Sequence, residues 1–374
     1  MDNIIVAGAN HYNTLWLVRS LGMAGYTPFV VISSTTRDSF VVKSKYCNSY
    51  MILDSDESVV EFLLKRNIDS QEVLLSSSDR LTQLFDLNYD KLSKKYLLQN
   101  CFNKQGQLTS WMNKDKMLKM AKECGLMTPD SFSLNVEELR VDFSKVSFPC
   151  LIKPETSAEA SKDNFYICYD IDDLKKSLND VTGKCSKVLV QDYIRADYEY
   201  LLYGVSTDSE VLIPGGLKKI HTCSSMNNMG MMSYGVLSEY VPLQIGNYDI
   251  VKEYVKSIGY KGLFSVEFLI TQDKAYFLEI NLRNDGTCYM TTQAGVNLPA
   301  LWCGSVLGKN TSHVQRQLLR KKTYGMNEVN YFKYTFSWKY FIRCIKEIFS
   351  VKAFSLIKWN DMKPVVFKLL YAFK

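Results

Sequence analysis

The stretch Phe264–Gly286, FSVEFLITQDKAYFLEINLRNDG, contains two runs in which apolar and polar residues alternate, separated by a short polar turn. This period of two predicts two neighbouring β-strands whose successive side chains point to opposite faces. One face then carries Glu267 from the first strand and Glu279, Asn281 and Arg283 from the second; the other face of the second strand carries Leu278, Ile280 and Leu282. Oxygen ligands suit Mg²⁺, and a guanidinium suits a phosphoryl group that gains charge during transfer. The stretch predicts a magnesium and phosphate site, although the solvated face of a two-stranded ribbon would show the same pattern.

Three earlier segments carry polar side chains at the end of a predicted strand or at the start of a predicted helix. Lys153 ends the apolar strand FPCLIKP (148–154), where a lone lysine is unfavourable unless it meets an anion. The run VLVQDYI (188–194) indicates a strand that leads into a hinge between lobes. Lys116 lies in NKDKM (113–117), a helix start.

In this order and spacing, Lys116, Lys153, the 188–194 run and the Glu267…Glu279-x-Asn281-x-Arg283 set resemble the ATP-grasp superfamily, over about residues 1–305. The nearest branches are the carbamoyl-phosphate-synthase-like and amino-acid-ligase enzymes. Strands alternate with helices over the first hundred residues, without a GxGxxG turn, which predicts a parallel α/β sheet lacking a dinucleotide site. The resemblance implies an α/β ATP-grasp fold with a Rossmann-like pre-ATP-grasp domain (1–105), an N-terminal lobe (106–190), a C-terminal lobe with the metal site (191–308) and a basic amphipathic helical region (309–374).

The resemblance also implies a role for each matching residue. Mg²⁺, or Mn²⁺ in its place, would be held by Glu267, Glu279 and Asn281. Arg283 would clamp the γ-phosphate and then the acyl phosphate, helped by Lys218 or Lys219. ATP would contact a further set of side chains and hinge residues: Lys116, Lys153 and Ser157 for the phosphates, Gln191, Asp192, Tyr193 and Ile194 around the adenine, and Glu199 for the ribose.

The reaction implied by the family has two steps. A carboxylate attacks the γ-phosphorus to give an acyl phosphate and ADP, and an amine then displaces phosphate to leave an amide. The substrates would be a small-molecule or glycan carboxylate and an amine such as an amino acid, in bacterial cell-surface polysaccharide or peptide biosynthesis, and the enzyme could form a homodimer. A soluble dipeptide ligase or a carbamoyl-phosphate-type kinase is the first alternative. A catalytically weak nucleotide-binding scaffold is the second, because the phosphate loop ETSAEASKDN (155–164) contains no glycine.

Composition narrows the class of protein further. The ten cysteines form no CxxC pair and the three histidines have no ligand-spaced partners, which argues against zinc and iron–sulfur sites. Residues 309–374 contain fourteen Lys or Arg and three acids, while the remainder is net negative. Nucleic-acid binding by the whole chain is therefore not expected. No apolar run reaches the ~20 residues of a membrane-spanning helix, and the start MDNIIVAGAN lacks a basic segment, so we expect a cytoplasmic protein.

The basic tail contains one amphipathic segment. Five apolar residues share a helical face, and the opposite face is basic with Lys339, Arg343 and Lys346; the apolar set is Trp338, Phe341, Ile342, Ile345 and Phe349. Such a helix suits an anionic membrane surface at the inner face of the membrane. The sequence favours the more ordinary interpretation, in which the apolar face packs on the protein's own core.

Overall fold

The computed structural model describes residues 4–136, 146–155, 165–223 and 230–372. Ser157 and residues 156–164 of the predicted phosphate loop lie outside the described residues. The strands of the described chain form three sheets.

The N-terminal unit is an open parallel sheet in the order β3-β2-β1-β4-β5. Its central strands are continuous apolar runs because helices cover both faces. A Cβ on Gly8 would lie 1.9 Å from Ser77 Oγ, so only glycine fits where β1 passes β4. The elements are β1 (Ile4–Ala9), α1 (Tyr12–Met23), β2 (Phe29–Ser33), β3 (Ser49–Leu53), α2 (Asp56–Lys65), β4 (Glu72–Ser76), α3 (Asp79–Leu87), α4 (Tyr89–Leu92) and β5 (Tyr96–Leu98).

The second unit is a four-stranded antiparallel sheet in the order β7-β10-β8-β9. One face packs on α7 through Ile152, Val188 and Val190, while Leu189 points the other way into the core of the large sheet. The elements are β6 (Asn100–Cys101), α5 (Gln107–Trp111), α6 (Lys114–Glu123), β7 (Ser131–Asn135), β8 (Cys150–Pro154), β9 (Tyr166–Cys168), α7 (Ile171–Val181) and β10 (Lys187–Asp192). Short β6 pairs with β14 of the large sheet.

The third unit is built on an eight-stranded sheet whose main path runs β15-β14-β11-β12-β13-β16-β17. Its core faces α6 and α8 on one side and α10 on the other. The elements are β11 (Tyr198–Ser206), β12 (Val211–Thr222), β13 (Met232–Ser238), α8 (Asp249–Ser257), β14 (Tyr260–Ile270), β15 (Ala275–Asn281), α9 (Tyr289–Gln293), α10 (Leu298–Val306), β16 (Lys322–Met326), α11 (Glu328–Asn330), α12 (Phe341–Ser350), β17 (Val351–Phe354) and α13 (Lys363–Ala372).

The basic C-terminal region differs from the helical tail that the sequence predicts. β16 pairs with β13 and β17 pairs with β16, so the region extends the large sheet because it satisfies the backbone groups at the edge of β13. Asp361 then ties it to the N-terminal unit through a fully buried ion pair with Arg19 of α1, Oδ2 to Nε 2.9 Å. The Glu328 carboxylate accepts backbone N–H bonds from Ser355, Leu356 and Ile357. These contacts make residues beyond 308 part of the folded body.

Candidate active site

The two predicted metal-binding glutamates lie directly opposite each other on β14 and β15. Glu267 pairs with Glu279, and Ser265 with Asn281, in the antiparallel register. Asn281 Nδ2 lies 3.3 Å from Glu267 Oε1. Burial raises the pKa of Glu267 to about 7; Lys219 opposes this shift, and repulsion from Glu279 adds to it. A divalent cation would relieve this excess of negative charge, so the donor set fits Mg²⁺.

A β-bulge in β15 creates this face. Glu267 pairs with Glu279, yet Phe268 pairs with Phe277, which leaves Leu278 without a partner. Phe277 therefore packs in the core beside Ile280, although regular alternation would place it on the side of Glu279. The sequence prediction of one uninterrupted alternation is corrected at Leu278, since the extra residue shifts the phase of the strand.

Across the described part of the chain, no three His, Cys, Asp or Glu side chains are grouped as a metal site would require. The predicted set contains two carboxylates and one amide, Glu267, Glu279 and Asn281. Two carboxylates are sufficient for Mg²⁺ at a nucleotide site, because Mg²⁺ commonly completes its octahedral shell with waters and substrate phosphates.

The two lysines that the sequence left as alternatives lie on opposite faces of β12. The ammonium group of Lys219 contacts the Glu199 carboxylate and lies 2.8 Å from the carbonyl oxygen of Gly230 and 4.0 Å from Glu267 Oε2. Burial lowers its pKa, but attraction to Glu267 and then Glu199 outweighs burial, so the pKa is raised overall. Lys218 is exposed and lies 3.9 Å over the Tyr198 ring. Lys219 is thus the lysine that stands beside the carboxylates.

Arg283 is held by a residue that the sequence did not single out. Its Nε and Nη2 atoms donate to the two carboxylate oxygens of Asp79, each at 2.8 Å, and Nη2 lies 3.3 Å from Asn281 Oδ1. Burial opposes the charged form, but Asp79 raises the pKa of Arg283 overall. Asp79 starts α3 directly after β4, and the carboxyl end of a parallel strand is where such residues gather. That position was the sequence signal that could have identified it.

Next to this pair, a second contact joins the N-terminal unit to the segment that follows β15. Asn13 Nδ2 donates to the carbonyl oxygen of Asn284 at 2.9 Å, and the Asn284 amide donates back to Asn13 Oδ1. His11 caps α1, its Nδ1 accepting from the backbone N–H of Asn13 at 3.2 Å. Burial lowers the pKa of His11, and Lys368 and Arg283 lower it further. The His11 imidazole, whose neutral form is favoured, thus lies near cationic groups beside the segment that follows β15.

Two buried side chains of the second unit, Lys153 and Gln191, have polar groups suited to binding a polar ligand. Lys153 and Leu189 are directly paired across β8 and β10, so the buried Lys153 side chain points with Leu189 towards the large sheet. Burial lowers its pKa to about 8, against attraction from Glu279, and no described carboxylate forms a salt bridge with it. On the same face, Nε2 of Gln191 is buried and has no hydrogen-bond partner in the described chain. A nucleotide would supply an anion to the first group and an acceptor to the second.

The remaining predicted contacts flank this face. Lys116 Nζ donates to Ser110 Oγ at 2.7 Å and lies 3.9 Å over the Trp111 ring. In the predicted hinge, the backbone N–H of Asp192 donates to the carbonyl oxygen of Asp130 at 2.9 Å. The backbone N–H of Tyr193 donates to the carbonyl oxygen of Pro149 at 3.1 Å. Tyr193 is exposed, and Asp192 and Ile194 are half-buried. Nothing in this geometry assigns them a ligand, so their nucleotide contacts remain predictions.

The sequence of residues 246–330 matches a family model described as ATP-grasp in the biosynthetic pathway with Ter operon. The chain is 27% identical to the D-alanine--D-alanine ligase of Fusobacterium nucleatum over 260 residues, which cover 61% of this chain and 82% of the relative. These matches confirm the predicted resemblance of the chain to ATP-grasp proteins. The chain is also 24% identical to the formate-dependent phosphoribosylglycinamide formyltransferase of Wolinella succinogenes over 181 residues, 46% of this chain and 44% of that protein.

A solved structure carries the same fold. The biotin carboxylase domain of Hydrogenobacter thermophilus 2-oxoglutarate carboxylase, in complex with MgADP and bicarbonate, has a TM-score of 0.67 at 15% identity, over 85% of this chain and 73% of that one. The predicted resemblance to ATP-grasp proteins and the predicted α/β ATP-grasp fold are confirmed. The division into a preceding domain (1–105), two lobes (106–190 and 191–308) and a C-terminal region (309–374) stays a prediction.

Proposed function

We propose that this ATP-grasp protein is an ATP- and Mg²⁺-dependent ligase that activates a carboxylate as an acyl phosphate and joins it to an amine. One observation carries the proposal: Glu267 and Glu279 lie face to face on β14 and β15, and Arg283, two residues beyond β15, forms an ion pair with Asp79 of the N-terminal unit. The relatives support it, because D-alanine--D-alanine ligase and the formyltransferase are enzymes of this kind. The solved MgADP complex supports ATP and Mg²⁺ as the nucleotide and metal.

Each charged group has a task in this reaction. Glu267, Glu279 and Asn281 would hold Mg²⁺, which neutralises phosphate charge and orients the γ-phosphorus for in-line attack. Lys153, buried and without a salt bridge to any described residue, would bind the phosphates. Arg283 would stabilise the phosphoryl group as it passes to the carboxylate, in the orientation that Asp79 sets. Positioning and charge suffice for this step, so the chain needs no nucleophile of its own.

We place the acceptor, which is the amine that the activated carboxylate joins, between the segment that follows β15 and the carboxyl ends of β1 and β4. Asn13, Asp79 and Asn284 meet there, beside the neutral His11. Ligands of open α/β sheets bind at this edge, where neighbouring strands lead to helices on opposite faces. For the setting, we propose bacterial cell-surface polysaccharide or peptide biosynthesis, and the D-alanine--D-alanine ligase relative is consistent with the peptide alternative.

The test is ADP release with MgATP against a panel of amino acids combined with uronic, muramyl and simple carboxylates. We expect one carboxylate–amine pair to stimulate release and Glu279→Gln to abolish it. Glu253→Gln is the matched control, since Glu253 is an exposed surface glutamate on α8 paired with Lys256. MgATP binding without stimulated ADP release by any pair would contradict the ligase and favour a nucleotide-binding scaffold.

A further inference from the structure

Helix α12 packs on the protein with only part of its apolar surface. Cys344 is buried and Ile348 half-buried, and both join the cluster formed with Tyr234, Tyr331 and Val351. At 100° per residue, this sector is adjacent to a second apolar sector that points away from the sheet. There Ile342 and Phe349 are 72% and 80% exposed. The protein's own core therefore covers one apolar sector of the helix and leaves the other in solvent, contrary to the interpretation that the sequence favoured.

Aromatic contacts extend this exposed sector and keep it ordered. Trp338, in the turn that precedes α12, stacks on Phe341 with ring centroids 5.4 Å apart and an interplanar angle of 13°. The edge of Phe336 meets Trp338 at 5.5 Å. Trp338 is nevertheless 77% exposed. We call the α12 face the set Trp338, Phe341, Ile342, Ile345 and Phe349 with the flanking Lys339, Arg343 and Lys346.

The charge beside the α12 face has one sign. Between residues 329 and 360 the sequence contains six Lys or Arg and one acid, Glu347. Glu347 is turned inwards, where its carboxylate contacts His221 Nε2 at 2.9 Å and the Tyr331 hydroxyl. Arg343 Nε lies 3.6 Å from Glu347 Oε1, and 43% of the Arg343 side chain is exposed. The outward side therefore offers cations and exposed aromatic rings without an acid among them.

We propose that the α12 face binds the surface of an anionic phospholipid bilayer. Exposed Trp, Phe and Ile side chains insert at the level of the headgroups, and flanking Lys and Arg bind anionic lipid. A second copy of the chain fits less well, because two α12 faces would bring like charges together with no acids to oppose them. Among the described residues no helix is long and apolar enough to cross a membrane, so this contact is peripheral. The inference is independent of the proposed ligase activity.

The experiment is co-sedimentation of the full chain with vesicles of pure phosphatidylcholine and of phosphatidylcholine with phosphatidylglycerol. We expect binding only to the anionic vesicles, weakened by high salt, and weakened at least tenfold in Ile342→Ser/Phe349→Ser. Lys339→Gln and Lys346→Gln should each weaken binding roughly fivefold. Leu243→Ser is the matched control, because Leu243 is 86% exposed and lies outside the C-terminal region.

Three results would overturn the proposal. They are equal binding to both vesicle types, no vesicle binding at all, or anionic-vesicle binding that the double variant retains. Light scattering on the same samples tests the rival occupant: a dimer that Ile342→Ser/Phe349→Ser converts to a monomer would assign the α12 face to a second copy. Thermal unfolding and MgATP binding should be unchanged in the double variant, which separates loss of the surface from loss of the fold or of the ligase.

Discussion

Lys153 should destabilise the protein when no nucleotide is bound. Its side chain is 2% exposed, and burial lowers its pKa from 10.5 to about 8. At about 1.4 kcal/mol per pKa unit, keeping this group charged in the folded protein costs about 3 kcal/mol at pH 7. The unfolded chain binds more protons than the folded one between pH 8 and 10.5, so this cost is fully present at pH 7 and disappears as pH rises through that window.

Lys153→Met should therefore stabilise the ligand-free protein at pH 7 and impair nucleotide binding. An unfolding entropy of about 2.1 cal/mol/K per residue converts 3 kcal/mol into a Tm increase of about 4 °C for a cooperative chain of this length. The increase should shrink towards zero at pH 10. We expect MgATP affinity, measured by calorimetry, to fall at least tenfold in the variant. In the wild type it should fall about tenfold per pH unit above pH 8.

Lys187→Met on the neighbouring strand β10 is the matched control, because that lysine is exposed. It should leave Tm and MgATP affinity unchanged. A lower Tm in Lys153→Met with unchanged MgATP affinity would refute the reasoning, since Lys153 would then be a structural partner of Glu279. Proton uptake on MgATP binding at pH 8, detected in buffers of different ionisation enthalpy, should be absent from the variant.

Three further changes test other contacts. Asp361→Asn leaves Arg19 buried without its counter-charge, so we expect the free energy of unfolding to fall by about 3–5 kcal/mol, measured by urea titration; a change below about 1 kcal/mol would show that the region is held otherwise. Lys219→Met should lower stimulated ADP release at least tenfold, while Lys218→Met leaves it nearly unchanged. Equal losses in the two variants would contradict the assignment of Lys219, and not Lys218, to the face of β12 that carries the carboxylates. Asp79→Asn should lower stimulated ADP release about tenfold and leave MgATP affinity within twofold, because it frees the Arg283 guanidinium that we expect to act on the phosphoryl group during transfer, while Lys153 still binds ATP; a matching loss of MgATP affinity would assign Asp79 to ATP binding.

Much of this architecture could be predicted because it depends on local patterns. Apolar runs alternating with helical segments predicted the parallel N-terminal sheet. Lys153 was identified because a cation inside an apolar strand is anomalous whatever the fold. The C-terminal strands were not predicted, since β16 and β17 owe their conformation to the open edge of β13. A short segment can adopt either a helical or an extended conformation, and pairing with a distant strand decides between the two.

The sequence by itself determined which polar groups the β14–β15 pair carries: Glu267, Glu279 and Asn281, with Arg283 just beyond β15, follow from composition and period. Only the tertiary structure decided how they are presented. The bulge at Leu278 returns Phe277 to the core and leaves Glu279 facing Glu267, and a bulge is visible only in the register of two paired strands. The separation of Lys219 from Lys218 likewise required the sheet, because adjacent residues of a strand face opposite sides and only the neighbouring strands show which side carries the carboxylates.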